Sequence, residues 1–139
     1  MLIMNNSNVK KIVVATVALV VSGLANASPI KDNDRKKYIE NLPTYTCAAF
    51  NAAYEAAEAS GNRKPVFMMM LKSSTKAVGE IYLNDGESAV GKAIILMEDE
   101  AQIKMMYNSV FLKCKAIPER VFHEEMKRTI KAMSNMYKG

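Results

Sequence analysis

Histidine is almost missing from this sequence, in which His123 is the only one among 139 residues. A histidine-based metal cluster within one chain is therefore excluded, and the cysteines lack further ligands at zinc-site spacing. Glycine is scarce as well, with six residues, and no Gly-rich phosphate loop or nucleophile elbow is present. We therefore expect no metal or other cofactor and no enzymatic activity.

The few charged motifs also lack catalytic patterns. His123 is followed by Glu124 and Glu125, but consecutive helical residues point apart, which favours a solvated polar face over an acid–base pair. The acidic run from Glu98 to Glu100 has neither the alternating oxygen ligands nor the central glycine of a calcium loop. This run is more typical of a helix surface or an N-cap.

One apolar run stands near the start of the chain. Lys10 and Lys11 precede apolar residues 12–21 and a small-residue stretch that ends in Ala25-Asn26-Ala27. This is the order of a positive n-region, an apolar h-region and an A-x-A cleavage site. Residues 12–25 are fewer than the roughly 20 that span a bilayer. The pattern predicts a cleavable signal peptide over residues 1–27 and a periplasmic mature chain without a stable membrane anchor.

Cysteine is limited to Cys47 and Cys114, both beyond the predicted cleavage site. An oxidising compartment favours a disulfide, and two cysteines allow only one connectivity. Two buried free thiols are the alternative interpretation. A redox-active pair is not supported, because no C-x-x-C spacing occurs.

Charge of either sign is not concentrated in the mature chain. Its 17 basic and 14 acidic side chains leave a net charge of about +3 near neutral pH. A mild excess that is spread along the chain is not the electrostatic footprint of a nucleic-acid-binding protein. We expect no nucleic-acid partner.

Helix signals dominate the rest of the sequence. Polar residues 28–43 are typical of a flexible N-terminal arm, and residues 44–139 form one predicted helical domain. No convincing alternating strand pattern is present, so the fold class is all-α, a small single-domain bundle of about four helices with one disulfide. The predicted boundaries are an N-cap at Thr46, Pro65 after Ser60-Gly61-Asn62, a turn at Asn84-Asp85-Gly86, a break near Glu98-Asp99-Glu100, and Pro118 at the start of the last helix.

Methionine is unusually frequent, with nine residues in the mature chain. Thioether side chains fill irregular cores and also line surfaces that accept varied partners. Because Met68, Met69 and Met70 are consecutive, they cannot all face one side of a helix. Core packing and a binding surface both remain open for this run.

Three short patterns resemble, in order, the HdeA/HdeB family of small periplasmic acid-stress chaperones. Thr46-Cys47-Ala48-Ala49-Phe50 is similar to the T-C-x-x-F opening of the family's first helix. Pro65-Val66, followed by residues 68–71, resembles its proline-led apolar segment. Cys114-Lys115-Ala116-Ile117-Pro118 resembles the second disulfide cysteine and the lysine-bearing helix that follows it.

This resemblance implies a homodimer near neutral pH that opens in strong acid and covers unfolding periplasmic proteins. Below about pH 4 the carboxylates lose their charge, and the mature net charge rises from about +3 toward +18 when His123 is counted. Self-repulsion would then favour opening. The client or dimer surface that this mechanism implies comprises Val66, Phe67, Met68, Met69, Met70, Leu71, Ile94, Ile95 and Met97.

A second class of function fits the same sequence. Small exported disulfide domains without catalytic groups also serve as inhibitors or immunity proteins that bind one specific partner. Such a binding module acts as a folded domain at neutral pH, whereas an acid chaperone binds many unrelated clients after opening. The dependence on pH therefore separates the two hypotheses.

Overall fold

Five helices make up the described part of the chain. The computed structural model describes residues 32–136, and the predicted signal peptide lies outside this range. No β-strand occurs within residues 32–136, which confirms the all-α class of a small helical domain, although the helix count in this range is five and not four. The helices are α1 (Asp32–Glu40), α2 (Cys47–Ser60), α3 (Lys64–Glu98), α4 (Glu100–Ala116) and α5 (Phe122–Met136).

Both ends of α2 follow the sequence signals. The Thr46 hydroxyl accepts a hydrogen bond from the Ala49 backbone N–H at 3.0 Å, which caps the first turn. Gly61 ends the helix in the left-handed region at φ 75°, and its N–H donates to the Ala57 carbonyl. The predicted start and end of this helix are confirmed.

Helix α3 is the centre of the bundle. It packs against each of the other four helices, most extensively against α5. All residues from Ser73 to Gly79 are buried, so this stretch of α3 is covered on every side. The predicted turn at residues 84–86 is a kink inside this helix, where Gly86 has φ 86° and ψ −173°. Glycine permits this left-handed conformation without a Cβ clash.

Helix α1 lies in the segment that the sequence analysis assigns to a flexible arm. Ile39 is only 2% exposed, and an ideal Cβ at Gly79 would lie 2.7 Å from the Ile39 Cγ1, so the two residues are in close contact. The arm prediction follows from a polar composition. It misses this helix because a single isoleucine leaves almost no apolar periodicity.

Two basic residues hold α1 against α3. The Arg35 guanidinium lies 4.8 Å from the centre of the Tyr82 ring and donates to the Tyr82 hydroxyl at 2.7 Å. From α3, the Lys76 ammonium donates to the carbonyls of Glu40 and Leu42 at 3.2 and 2.8 Å. These carbonyls lie at the C-terminal end of α1 and just beyond it. A cation there pairs with carbonyls that have no partner inside the helix and interacts favourably with the helix dipole.

The break between α3 and α4 falls where it was predicted. Asp99 separates the two helices, and its carboxylate accepts from the N–H groups of Ala101 and Gln102. By contrast, α5 begins at Phe122 and not at Pro118. The intervening backbone bonds to the start of α2 instead, with the Cys47 N–H donating to the Arg120 carbonyl at 2.7 Å.

A disulfide joins Cys47 to Cys114, as predicted. It links the first residue of α2 to the last turn of α4 and closes a loop with a sequence separation of 67. In the chain-entropy model such a loop stabilises the folded state by about 4 kcal/mol. The Asn51 amide adds a hydrogen bond to the Cys114 carbonyl at 3.0 Å.

An aromatic stack fills the core beside the disulfide. The Phe50 ring lies between Phe111 and Phe122, with centroid distances of 5.0 and 4.1 Å. Tyr107 is fully buried, and its hydroxyl is 2.7 Å from the Ser74 hydroxyl. Burial raises the pKa of Tyr107 above its ordinary value, so the phenol stays neutral. Met70, Met97, Met106 and Met126 complete the apolar core.

We predict that Gly79→Ala lowers the free energy of unfolding by about 1–3 kcal/mol, because the new Cβ would overlap Ile39 and push α1 away. Gly91→Ala is the matched control in the same helix. Its Cβ would meet nothing within 4 Å, so it should stabilise the chain by about 0.5–1 kcal/mol. Urea denaturation of both variants tests this, and equal effects would contradict the packing of α1.

Candidate functional site

Four charged or titratable side chains meet between α3 and α5. The His123 Nε2 atom lies 3.2 Å from a Glu80 carboxylate oxygen and 3.3 Å from a Glu124 carboxylate oxygen. The Lys127 ammonium donates to Glu80 at 2.8 Å and to Glu124 at 3.1 Å. We call Glu80, His123, Glu124 and Lys127 the His123 cluster. It connects the central helix to α5, its most extensive neighbour.

The prediction of a solvated polar face is wrong for His123 and Glu125. His123 is 4% exposed and Glu125 is 1% exposed. Glu125 faces away from the cluster, where it accepts from Arg120 and Arg128 at 2.9 Å each. Consecutive residues do point apart, but both directions are covered. Glu80, which is 43 positions from His123, completes the cluster, and no local sequence signal indicates this pairing.

The environment of His123 favours its neutral form. Burial lowers the pKa of His123 below 6.5. Glu80 and Glu124 act to raise this pKa, while the ammonium groups of Lys76 and Lys127 lower it further. The imidazole therefore carries no charge near neutral pH, and the two carboxylates are balanced by lysines.

Glu124 and Lys127 stabilise each other in their charged forms. Burial is the largest single effect and acts to raise the pKa of Glu124, but the hydrogen bond from Lys127 and the nearby positive charges together outweigh it, so the net pKa is lowered. Burial acts to lower the pKa of Lys127, but hydrogen bonds to Glu80 and Glu124 raise it overall. Both groups are thus ionised across the neutral range.

The distances in the His123 cluster also permit a cation. Ligand atoms of Glu80, His123 and Glu124 all lie within 4.8 Å of one another. The Lys127 ammonium, however, donates to both carboxylates. The His123 Nδ1 atom is buried without a hydrogen-bond partner within residues 32–136, whereas metal-ligating histidines normally have that nitrogen held. We therefore interpret the cluster as an ion-pair network whose cation is Lys127.

The nine residues of the predicted client or dimer surface do not form one exposed face. Val66, Met70 and Met97 are at most 2% exposed and belong to the core. Ile95 is 53% exposed. The remaining five, which are partly buried, are Phe67, Met68, Met69, Leu71 and Ile94. In the folded chain the core therefore covers three of the nine, and the other six are at least partly exposed.

A groove lined mainly by apolar surface lies between α2 and α4. It has a volume of about 900 Å³, and its floor is formed by Phe50, Tyr54 and Phe111. Leu112 is 69% exposed at its edge. This groove was not predicted from the sequence, because the spacing of apolar residues on α4 identifies only the residues that face the chain's own core.

The fold thus defines a small all-helical domain cross-linked by one disulfide. No helix in the described range has both the length and the apolar character needed to cross a membrane. Comparison of the chain with family models, curated proteins and solved structures finds no match. The features of this domain that bear on function are the His123 cluster, the disulfide and the groove.

We predict that His123 makes the folded state less stable as the pH falls from about 6.5 to its lowered folded pKa. In this window the unfolded chain binds a proton that the folded chain does not yet bind. His123→Gln should remove this part of the pH dependence. Urea denaturation at several values between pH 7.5 and pH 4.5 measures it, and identical slopes for both chains would contradict the burial effect.

Proposed function

We propose that this chain is an HdeA/HdeB-like periplasmic acid-stress chaperone. In this proposal it is exported, folds near neutral pH, opens in strong acid and binds unfolding client proteins through apolar, Met-rich segments. The observation that carries the proposal is the His123 cluster between α3 and α5. Its charge balance is satisfied at neutral pH and is reversed by acid.

At neutral pH the charges around His123 compensate one another. Glu80 and Glu124 are anionic, Lys127 bonds to both, and Lys76 acts on the neutral imidazole from α3. In strong acid both carboxylates are protonated and His123 becomes charged. Lys76, His123 and Lys127 are then three cations without an anion in a partly buried interface, where their repulsion is weakly screened.

The sign of the linkage agrees with opening in acid. The lowered pKa of Glu124 gives stability that is present above about pH 4.5 and is lost as the pH falls through the folded value. His123 lowers the stability of the folded state already as the pH falls below 6.5, because the unfolded chain then binds a proton that the folded chain does not. Arg128 also acts on Glu124 and remains charged in acid, which adds to the repulsion on α5.

The position of the disulfide allows α3 and α5 to separate. Cys47 and Cys114 join α2 to α4, and no covalent cross-link connects α3 to α5 within residues 32–136. Separation would uncover core residues of both helices while α2 and α4 stay connected. From α3 these residues include Ile81 and Ala93, and from α5 they include Ile130, which line one cavity together.

The burial of Val66, Met70 and Met97 at neutral pH is compatible with this mechanism. A chaperone that acts only in acid needs its apolar segments covered when it is folded. The high positive charge of the opened mature chain, about +18, would keep the chaperone and its bound clients soluble by repulsion.

We predict that Glu80→Gln/Glu124→Gln moves the midpoint of acid-induced opening to higher pH. Glutamine imitates the neutral carboxyl group, so the cations of the cluster lose their partners before acid is added. Glu87→Gln/Glu119→Gln, which neutralises two exposed carboxylates, is the matched control and should leave the midpoint nearly unchanged. Near-UV circular dichroism during acid titration measures the midpoint. Equal shifts for the two double variants would contradict the role of the cluster.

We predict that the oxidised mature chain suppresses aggregation of several unrelated client proteins at about pH 2.5, below ordinary carboxyl pKa values, and not at pH 7. Light scattering with and without the chain measures this, and sedimentation at both pH values reports opening. Unchanged aggregation at pH 2.5 would contradict the chaperone proposal. Capture of one partner by the folded chain at neutral pH would then favour an inhibitor or immunity protein.

A further inference from the structure

A cavity with a volume of about 290 Å³ lies between α3 and α5. From α3 it is lined by residues on both sides of the kink at Gly86, and from α5 by residues of the last two turns. Ile81, Ala93 and Ile130, which are buried, form its apolar wall. The volume is close to the lower end of the range for small-molecule sites, about 300–1,000 Å³.

Small side chains keep this cavity open. Ser88 and Ala89 line it from α3, and Ser134 lines it from α5. A larger side chain at any of these positions would occupy the space between the two helices. The cavity therefore lies in the contact between α3 and its most extensive neighbour, and an occupant would contact both helices.

Several polar groups at the cavity have unused hydrogen-bonding capacity. The Ser134 hydroxyl oxygen is buried and has no hydrogen-bond partner within residues 32–136. Ser88, Lys92 and Asn135 line the same cavity, and their side chains form no hydrogen bond or ion pair within the described part of the chain. Because a buried polar group without a partner costs about 1–3 kcal/mol, a ligand that supplies partners here would be stabilised.

The charged groups at the cavity favour an anion. Asp85 and Lys131 pair with each other at 3.1 Å, and both line the cavity. Lys92 is the second lysine in the lining, and among residues 32–136 it has no ion-pair partner. Two lysines and one aspartate leave an excess of one positive charge. A lysine ammonium has three donors, so Lys131 can bond to Asp85 and to a ligand at the same time.

We propose that this cavity binds a small organic monoanion. Its carboxylate lies between Lys92 and Lys131, and its short apolar body lies against Ile81, Ala93 and Ile130. Charge-assisted hydrogen bonds to a carboxylate are among the strongest that lysine forms. The apolar wall favours a carboxylate with an aliphatic body over an inorganic anion, which has no apolar part. The proposal concerns the folded chain at neutral pH and does not rest on acid-induced opening.

The position of the cavity gives binding a structural consequence. Lys92 belongs to α3 and Lys131 belongs to α5, so one carboxylate that bonds to both connects the two helices. A ligand that binds only when these helices are packed together stabilises the folded state by mass action. Occupancy of the cavity would therefore strengthen the interface that also holds the His123 cluster.

Titration of the ¹⁵N-labelled, oxidised mature chain with pentanoate at pH 7 and constant ionic strength, followed by two-dimensional NMR, tests the proposal. Pentanoate should bind with a dissociation constant of about 1 mM or lower and shift the amide signals of residues that line the cavity. Pentylammonium has the same apolar body with the opposite charge, and inorganic phosphate has negative charge without the body. Both should bind about tenfold more weakly or less tightly still. No saturation by pentanoate, or equal binding of either control compound, would overturn the proposal.

Two substitutions assign the binding to this cavity. Lys92→Gln should weaken pentanoate binding about tenfold or more, because it removes the unpaired cation. Lys64→Gln is the matched control, since Lys64 is exposed on the same helix and does not line the cavity. Ala89→Leu should abolish binding by filling the space, and circular dichroism checks that it folds.

Equal effects of Lys92→Gln and Lys64→Gln would contradict the assignment, as would unchanged binding by a folded Ala89→Leu chain. All samples are at pH 7 and contain no client protein. Failure of these tests is therefore distinct from failure of the chaperone proposal.

Discussion

The enclosure of α3 by the other four helices is the constraint on which the rest of the structure depends. Residues Ser73 to Gly79 are buried on every side, although several of them are polar. A polar group in such a position is normally paired, since an unsatisfied buried group costs about 1–3 kcal/mol, and within residues 32–136 the Ser73 hydroxyl is an exception without a partner. The Ser74 hydroxyl pairs with Tyr107, the Thr75 hydroxyl donates to the Leu71 carbonyl, and the Lys76 ammonium donates to two carbonyls at the end of α1.

The helices around α3 are held together partly by a covalent bond and partly by ion pairs. The disulfide fixes α2 to α4 whatever the pH. The interface of α3 with α5 includes the His123 cluster, whose bonds require ionised carboxylates. One interface of the domain is thus held by a covalent bond that protons do not break, and another includes ion pairs that they do break.

Local signals predicted the helix boundaries that depend on capping. Thr46 and Gly61 bound α2, and Asp99 separates α3 from α4, because each of these residues satisfies backbone groups within a few positions of itself. Local signals did not predict α1, which is polar in composition and is held by contacts to Gly79, Tyr82 and Lys76. They also placed the start of α5 too early, because carbonyls of the segment before Phe122 accept hydrogen bonds from the start of α2 and do not continue a helix.

The sequence by itself determined the all-α class, the pairing of Cys47 with Cys114 and the helix ends near Thr46, Gly61 and Asp99. Each of these follows from periodicity, from capping within one turn, or from having only two cysteines. Only the tertiary structure decided that His123 is buried beside Glu80 and that Leu112 stands at the edge of an aromatic groove. Ion pairs and grooves join residues that are far apart in the chain, and their formation depends on how the helices pack, which local spacing does not encode.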